Sequence, residues 1–295
     1  MHGTQVKMHE GEFDIHIALV SQLLGEQFPH LAERSITLVG STGTVNAVFR
    51  LGDDLCVRLP RVAQWADSLH REWTWLPKIA PHISLPIPEP VARGTPTTAY
   101  PHPWGIYRWI DGADYQEALI HDEHQAAQDL VNFILELRSV DPRGAPPGGR
   151  APLLALDAAT RSAIAASRGM IDRDAASDAW ARSLETALWQ GTPVWIHGDL
   201  LRSNLLVNKG RLSGILDFGG VGIGDPAADV VPAWSVFSRA GRETFRQALG
   251  VDDHTWHRAR GYALHQALMI IPYYRHTNPA FVTMAKRTVN EILGS

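Results

Sequence analysis

The sequence predicts an α+β protein of two lobes, a small one built on an antiparallel sheet and a larger, mainly helical one. Two observations carry this expectation. Three short β-prone runs joined by tight turns fall early in the chain, at 35–40, 45–51 and 55–59, and read as a meander. Helix-period patterns then dominate the remainder, interrupted by one hairpin near 205–216. The lobes are expected at 1–109 and 110–295.

Each element has its own warrant. Residues 14–27 read as a helix, with Ile17, Val20, Leu24 and Phe28 at steps of three and four. A second helix is expected from Arg61 to Leu76, where Val62, Trp65, Ala66, Leu69, Trp73 and Leu76 trace one stripe. It is expected to stop near Pro77, because proline disfavours helical geometry at the residue before it. Glu72 falls on that apolar stripe and needs a partner, since a buried unpaired charge is costly. The nearest cation by fold logic is Arg58 on the third strand. Residues 104–110 read as a strand entering the Asp111-Gly112 turn, and a helix follows at about 122–138. The Pro/Gly-rich stretch 141–150 is a loop within the larger lobe. Helical stretches are then expected over 152–190 and near 226–239, 255–271 and 279–293, the last two separated by 272–279.

Composition excludes several classes. A chain of 295 residues with 45% apolar and 20% charged residues is ordinary for a globular protein. A net charge of −4 without a basic block argues against nucleic-acid binding. The single cysteine, Cys56, rules out an intrachain disulfide and a cysteine-based zinc site, and reads as a buried small hydrophobe. The 14 histidines show no metal-ligand spacing. The first ten residues lack the apolar core of a signal peptide, and no stretch approaches a membrane span. A cytoplasmic monomer or homodimer without membrane partners is expected.

The most informative stretch runs from Trp195 to Asn204 and continues through Gly214 to Gly219. Asp199 and Asn204 lie five residues apart, as do the Asp and Asn of the protein-kinase catalytic loop. Between Asn204 and Asp217, two apolar runs flank the polar turn Asn208-Lys-Gly-Arg211. That pattern is a β-hairpin, which returns the chain and sets Asn204 beside Asp217. Phosphoryl transfer needs a base to orient the attacking hydroxyl and oxygen ligands for magnesium, and these residue types supply both.

These segments resemble the aminoglycoside phosphotransferase family, the small-molecule branch of the protein-kinase-like fold. The family's H-G-D-x-x-x-x-N stands here as His197 to Asn204, its I-D-[FW]-[GE] as Leu216-Asp-Phe-Gly219, and its G-D-P-x-x-D as Gly224 to Asp229. The resemblance runs from about residue 35 to the end and is strongest over 194–234. It implies ATP or GTP as donor, Mg2+ as cofactor and a small-molecule hydroxyl as acceptor. Asp199 is then the catalytic base, and Asn204 and Asp217 the metal ligands. His197 orients the loop, and Asp229 accepts hydrogen bonds from its backbone. On the nucleotide side the resemblance assigns the turn Ser41, Thr42, Gly43 and Thr44, the Arg58–Glu72 pair, and the hinge at Arg108, Trp109 and Ile110. Leu201 departs from the kinase pattern, which often has lysine there, and Arg202 is the expected substitute at the γ-phosphate. Asp114, Glu117, Tyr273 and Tyr274 are acceptor-site candidates; carboxylates suit a polyamine sugar and tyrosines a larger apolar acceptor. Competing readings are a kinase of an endogenous sugar, amino alcohol or nucleoside, a non-catalytic nucleotide-binding module, and a metal-dependent hydrolase using His197, Asp199 and Asp217.

Overall fold

A computed structural model describes Lys7, His9, residues 11–40 and residues 45–294. Helix α1 (Ile17–Gln27) is capped by His16, whose side chain accepts from the Leu19 amide. Strands β1 (Ile36–Leu38), β2 (Asn46–Leu51) and β3 (Leu55–Pro60) form the expected meander. With β4 (Pro90–Gly94) and β5 (Trp104–Arg108) they make a five-stranded antiparallel sheet in the order β1-β2-β3-β5-β4.

Alternation along the strands divides their side chains between two environments. Phe49, Leu51, Leu55, Val57, Leu59, Trp104 and Ile106 bury against Leu19, Val20, Leu23 and Leu24 of α1. Cys56 and Tyr107 join a second core with α2 (Ala66–Ile79) and the helices of the larger lobe. Ile17, placed on the buried stripe of α1 by spacing alone, is 47% exposed, and Leu19 and Leu23 take that face instead.

Helix α2 departs from expectation at both ends. It begins at Ala66 after a short 3-10 turn and runs through Pro77 to Ile79. Leu76 and Ile79, both fully buried, anchor the last turn around an exposed Pro77.

The larger lobe starts with β6 (Ala113–Asp114) and α3 (Glu123–Ser139), the latter capped by Asp122. Helices α4 (Asp157–Ala166) and α5 (Arg173–Leu184) follow, then β7 (Val194–Ile196). The hairpin is β8 (Leu205–Asn208) and β9 (Arg211–Ile215), and β6 pairs with β8. Strand β10 (Gly222–Gly224) pairs with β7.

The helix expected at 226–239 is absent. Pro226 and Pro232 break the region into a 3-10 turn over Pro226–Val230 and one α-helical turn, α6 (Pro232–Ser235). Helix α7 (Arg239–Leu249) was not foreseen. Its buried face contains Gly241 and Arg242, which disguise the apolar period that only Phe245 and Leu249 keep. Helix α8 (Asp253–Tyr273) runs past Pro272, and α9 (Pro279–Leu293) packs along it. Among the described residues no helix is long and apolar enough to cross a membrane.

Candidate active site

The loop after β7 is built by backbone capture. Both Asp229 oxygens are used: Oδ2 accepts from the His197 amide (2.9 Å) and Oδ1 from the Gly198 amide (2.8 Å). Gly198 has φ +81°, a left-handed turn that favours glycine. The buried His197 ring bonds the Leu216 carbonyl through Nε2 (3.0 Å) and the Asp199 amide through Nδ1 (3.2 Å). A carbonyl can only accept and an amide can only donate, so this ring is neutral with its proton on Nε2. His197 therefore ties the loop after β7 to the end of the hairpin.

Asp199 leads into a 3-10 turn over Arg202–Asn204. Asn204 Nδ2 donates to the Asp199 carbonyl (2.8 Å) and to Asp199 Oδ2 (2.9 Å). The Leu216 amide donates to the Asn204 carbonyl (2.8 Å), which sets Asp217 beside Asn204 across the base of the hairpin. Asp217 has φ +63°, a strained value for a non-glycine residue, and it turns the chain out of the sheet. Burial raises the Asp199 carboxyl above the ordinary aspartate value, and the Asp217 charge adds to this.

Asn204 and Asp217 lie at one end of a cleft of about 620 Å³ between the lobes. Its other walls include Val48, Cys56, Arg58, Tyr107, Leu206 and Leu216, with Arg108, Trp109 and Ile110 along the connection between lobes. Burial pushes the Cys56 thiol up to about 11, so it serves as a small apolar wall residue. Arg58 donates Nη1 to Glu72 Oε2 (2.9 Å) and Nη2 to Glu72 Oε1 (3.2 Å). Glu72 also accepts from Tyr107 Oη (3.0 Å) and from the Phe218 amide (3.0 Å). One buried carboxylate thus joins strand β3, strand β5 and the residue after Asp217.

Among the described residues no group of three or more His, Cys, Asp or Glu side chains is placed to cage a metal. Asn204 and Asp217 are hard oxygen donors opening on one cleft, the set expected where a ligand's own oxygens complete a magnesium shell.

The sequence matches the family described as "Phosphotransferase enzyme family" over residues 37–263. The chain belongs to the phosphotransferase enzyme family. A search of curated proteins finds no match. Among solved structures, a GDP complex of a point mutant of aminoglycoside 2'-phosphotransferase-IIIa is similar at TM-score 0.76 and 22% identity, covering 94% of this chain and 97% of that one. A streptomycin–ATP–APH(2")-IIa ternary complex is similar at TM-score 0.59 and 16% identity, covering 87% and 90%. The macrolide 2'-phosphotransferase MphH from Brachybacterium faecium is similar at TM-score 0.60 and 20% identity, covering 92% and 98%. At these identities the likeness shows the fold, which is protein-kinase-like. With the family, it makes this protein a phosphotransferase acting on a hydroxyl group.

Several expected site residues of this phosphotransferase lie apart from the cleft. Arg202, expected at the γ-phosphate, donates to the Val236 carbonyl and to Glu117, and stacks 5.4 Å over the Tyr115 ring. Those partners hold it behind the loop, and it is not among the residues that line the cleft. Glu117 bridges Arg202 and Arg287. Asp114 lies on the cleft wall. Tyr273 is 57% exposed and bonds His9 Nδ1 through its hydroxyl (3.0 Å), whereas Tyr274 is buried against Phe281. The four acceptor candidates therefore do not share one surface. Ser41, Thr42, Gly43 and Thr44 lie outside the described residues.

Two residues against Asp199 were missed by sequence reasoning. Gln266 Nε2 on α8 donates to Asp199 Oδ1 (2.6 Å), and Arg150 Nη2 lies 3.9 Å from the same oxygen. Gln266 gives no signal in the sequence. Arg150 gives one, closing the Pro/Gly loop at 141–150.

Proposed function

We propose that this phosphotransferase moves the γ-phosphate of ATP or GTP to a hydroxyl of a small molecule, an aminoglycoside or another antibiotic. Residues 1–109 form the nucleotide-binding lobe and 110–295 the catalytic and acceptor-binding lobe. The observation that carries the reading is the convergence of Asp199, Asn204 and Asp217: Asn204 and Asp217 line the cleft of about 620 Å³, and Asn204 donates to Asp199 Oδ2. Similar solved structures in complex with GDP and with ATP support a purine nucleotide donor.

The amide groups of Arg108 and Trp109 already donate to the Glu89 and Asp54 carbonyls, at 3.0 and 2.9 Å. A purine edge at this hinge therefore meets their carbonyls and the Ile110 backbone. Arg58, fixed by Glu72, faces the phosphates. With its amide nitrogen committed to Asp199, Asn204 offers its amide oxygen to Mg2+, and Asp217 offers its carboxylate. Magnesium at these residues would neutralise charge on the phosphate oxygens.

Asp199 accepts a hydrogen bond from the acceptor hydroxyl and aims its oxygen at the γ-phosphorus. The new O–P bond forms as the bond to the β–γ bridging oxygen breaks. The hydroxyl proton passes to Asp199, and the nucleoside diphosphate leaves.

The experiment is incubation of the protein with Mg2+, ATP or GTP, and a panel of aminoglycosides, macrolides, sugars, amino alcohols and nucleosides, with products read by mass spectrometry. The expected result is an acceptor heavier by one phosphoryl group, formed by wild type and absent with Asp199→Ala. Phosphate release to water alone, with every acceptor unchanged, would replace this reading with that of a hydrolase.

A further inference from the structure

We infer that Arg150 is a positioning residue for Asp199, holding the carboxylate by its charge from the side opposite Asn204. The inference rests on the reading of Asp199 as the base.

The loop at 141–150 is fixed along its length. The Ile223 amide donates to the Pro146 carbonyl (2.9 Å), and the Gly148 amide donates to the Ile223 carbonyl (3.0 Å). Arg71 of α2 donates to the Pro147 carbonyl (2.9 Å) and the Val221 carbonyl (3.1 Å). Gly149, at φ +76°, passes so close to β7 that a Cβ there would sit 2.4 Å from Ile196 Cδ1. The loop therefore crosses β10 and delivers Arg150 beside the catalytic loop.

The Arg150 side chain is 17% exposed, and Nη2 donates to the Gly198 carbonyl (3.3 Å). The same nitrogen stands 3.9 Å from Asp199 Oδ1, the oxygen that accepts from Gln266. Oδ2 is held by Asn204. The two faces of the carboxylate are thus assigned to different elements, Oδ2 to the metal-side turn and Oδ1 to α8 and the loop. Among the ion pairs of the described residues, Arg150 supplies the cation within 4.0 Å of Asp199.

A separation of 3.9 Å is a Coulomb contact and not a forked hydrogen bond. Positive charge at this place should therefore matter more than guanidinium shape. Arg150 lies outside the nucleotide cleft lining, so its effect should fall on turnover and spare nucleotide affinity.

The test compares Arg150→Lys, Arg150→Gln and Arg150→Ala by steady-state kinetics with Mg–ATP, Mg–GTP and the best acceptor of the panel. Arg150→Gln should lower kcat roughly 10- to 100-fold, a part of the roughly 100- to 10,000-fold that a positioned base contributes. Its nucleotide KM should stay within about twofold of wild type, a shift too small to count as lost affinity. Arg150→Lys should keep most of the activity, and millimolar guanidinium ion should restore part of the activity of Arg150→Ala. Unchanged kcat in Arg150→Gln, or a loss confined to nucleotide KM, would overturn the inference. So would failure of both lysine and guanidinium to rescue, which would make Arg150 only a latch for its loop.

A readout independent of turnover covers the case in which wild type transfers no phosphate, where the proposed function itself fails. Urea unfolding of Arg150→Gln in wild-type and Asp199→Asn backgrounds should be non-additive, the drop in midpoint at least halving when the Asp199 charge is gone. Equal drops in both backgrounds would show that the two side chains are uncoupled.

Discussion

Replacing Glu72 with alanine tests the link between the small lobe and the segment after Asp217. Glu72 is 1% exposed, and its loss strands three donors: the Arg58 guanidinium, 11% exposed, the Tyr107 hydroxyl and the Phe218 amide. Breaking a buried ion pair from one side costs about 3–5 kcal/mol. A newly unpaired buried amide or hydroxyl adds about 1–3 kcal/mol where water cannot reach it. These costs overlap, so a total of about 4–6 kcal/mol is expected, a large fraction of the roughly 5–15 kcal/mol that holds a domain folded. With a urea m-value of about 2–3 kcal/mol per molar, the unfolding midpoint should fall by about 1.3–3 M. Glu72→Gln keeps the volume and an acceptor for the Phe218 amide, so its drop should be near half of that. The double replacement Arg58→Met with Glu72→Met should recover much of the stability, since a buried pair is often no better than well-packed apolar side chains. It should not recover nucleotide binding, measured by calorimetry with Mg–ATP and Mg–GTP. A Glu72→Ala midpoint within about 0.3 M of wild type, a difference below 1 kcal/mol, would refute the reasoning. So would a double variant that binds nucleotide normally.

Asp199→Asn should abolish transfer while nucleotide affinity, read by calorimetry, stays near wild type; retained turnover would remove Asp199 from the role of base. Arg202→Ala should lower stability by about 1–3 kcal/mol through its lost bonds to Val236 and Glu117, with kcat unchanged. A tenfold fall in kcat in a folded Arg202→Ala would return that residue to the γ-phosphate. His265 is pushed down to about 4 by burial and the nearby Arg150 charge, while its ring bonds Thr160. Its unfolded-state value is 6.5, so the unfolded chain binds the proton first. Its contribution is therefore complete above about pH 6.5 and is lost as pH falls toward 4. Its size is on the order of 1–2 kcal/mol once partial exposure is allowed for. Urea midpoints of His265→Asn should show a shallower acid loss over that window; a parallel pH dependence would contradict the assignment.

The juxtaposition of the candidate site residues around the hairpin was legible because it is local. Asp199, Asn204 and Asp217 are tied by a short turn and one reversal of the chain, and apolar runs around Asn208-Lys-Gly-Arg211 specify that reversal. Glu72 was legible for a different reason: a carboxylate on an apolar helical stripe demands a buried cation, and Arg58 meets it. What escaped depends on contacts between distant segments. Arg202 stands next to the position of interest in sequence, yet Glu117, Tyr115 and the Val236 carbonyl draw it to the opposite side of the loop. Gln266 reaches Asp199 across 67 residues, with nothing near it in sequence to mark it. Helix α7 escaped because Arg242, buried on its inner face, finds the Ala233 carbonyl and Glu291 there, partners invisible to periodicity. The ends of α2 and α8 escaped because buried neighbours overrode the local preference of Pro77 and Pro272.

The most direct measurement is a crystal structure of the protein with a non-hydrolysable ATP or GTP analogue and Mn2+ in place of magnesium, the metal located by its anomalous signal. The account predicts a metal peak bound by Asn204 Oδ1, Asp217 and phosphate oxygens, with the terminal phosphate facing Asp199. A metal held elsewhere, or a nucleotide outside the Arg58–Asp217 cleft, would contradict it.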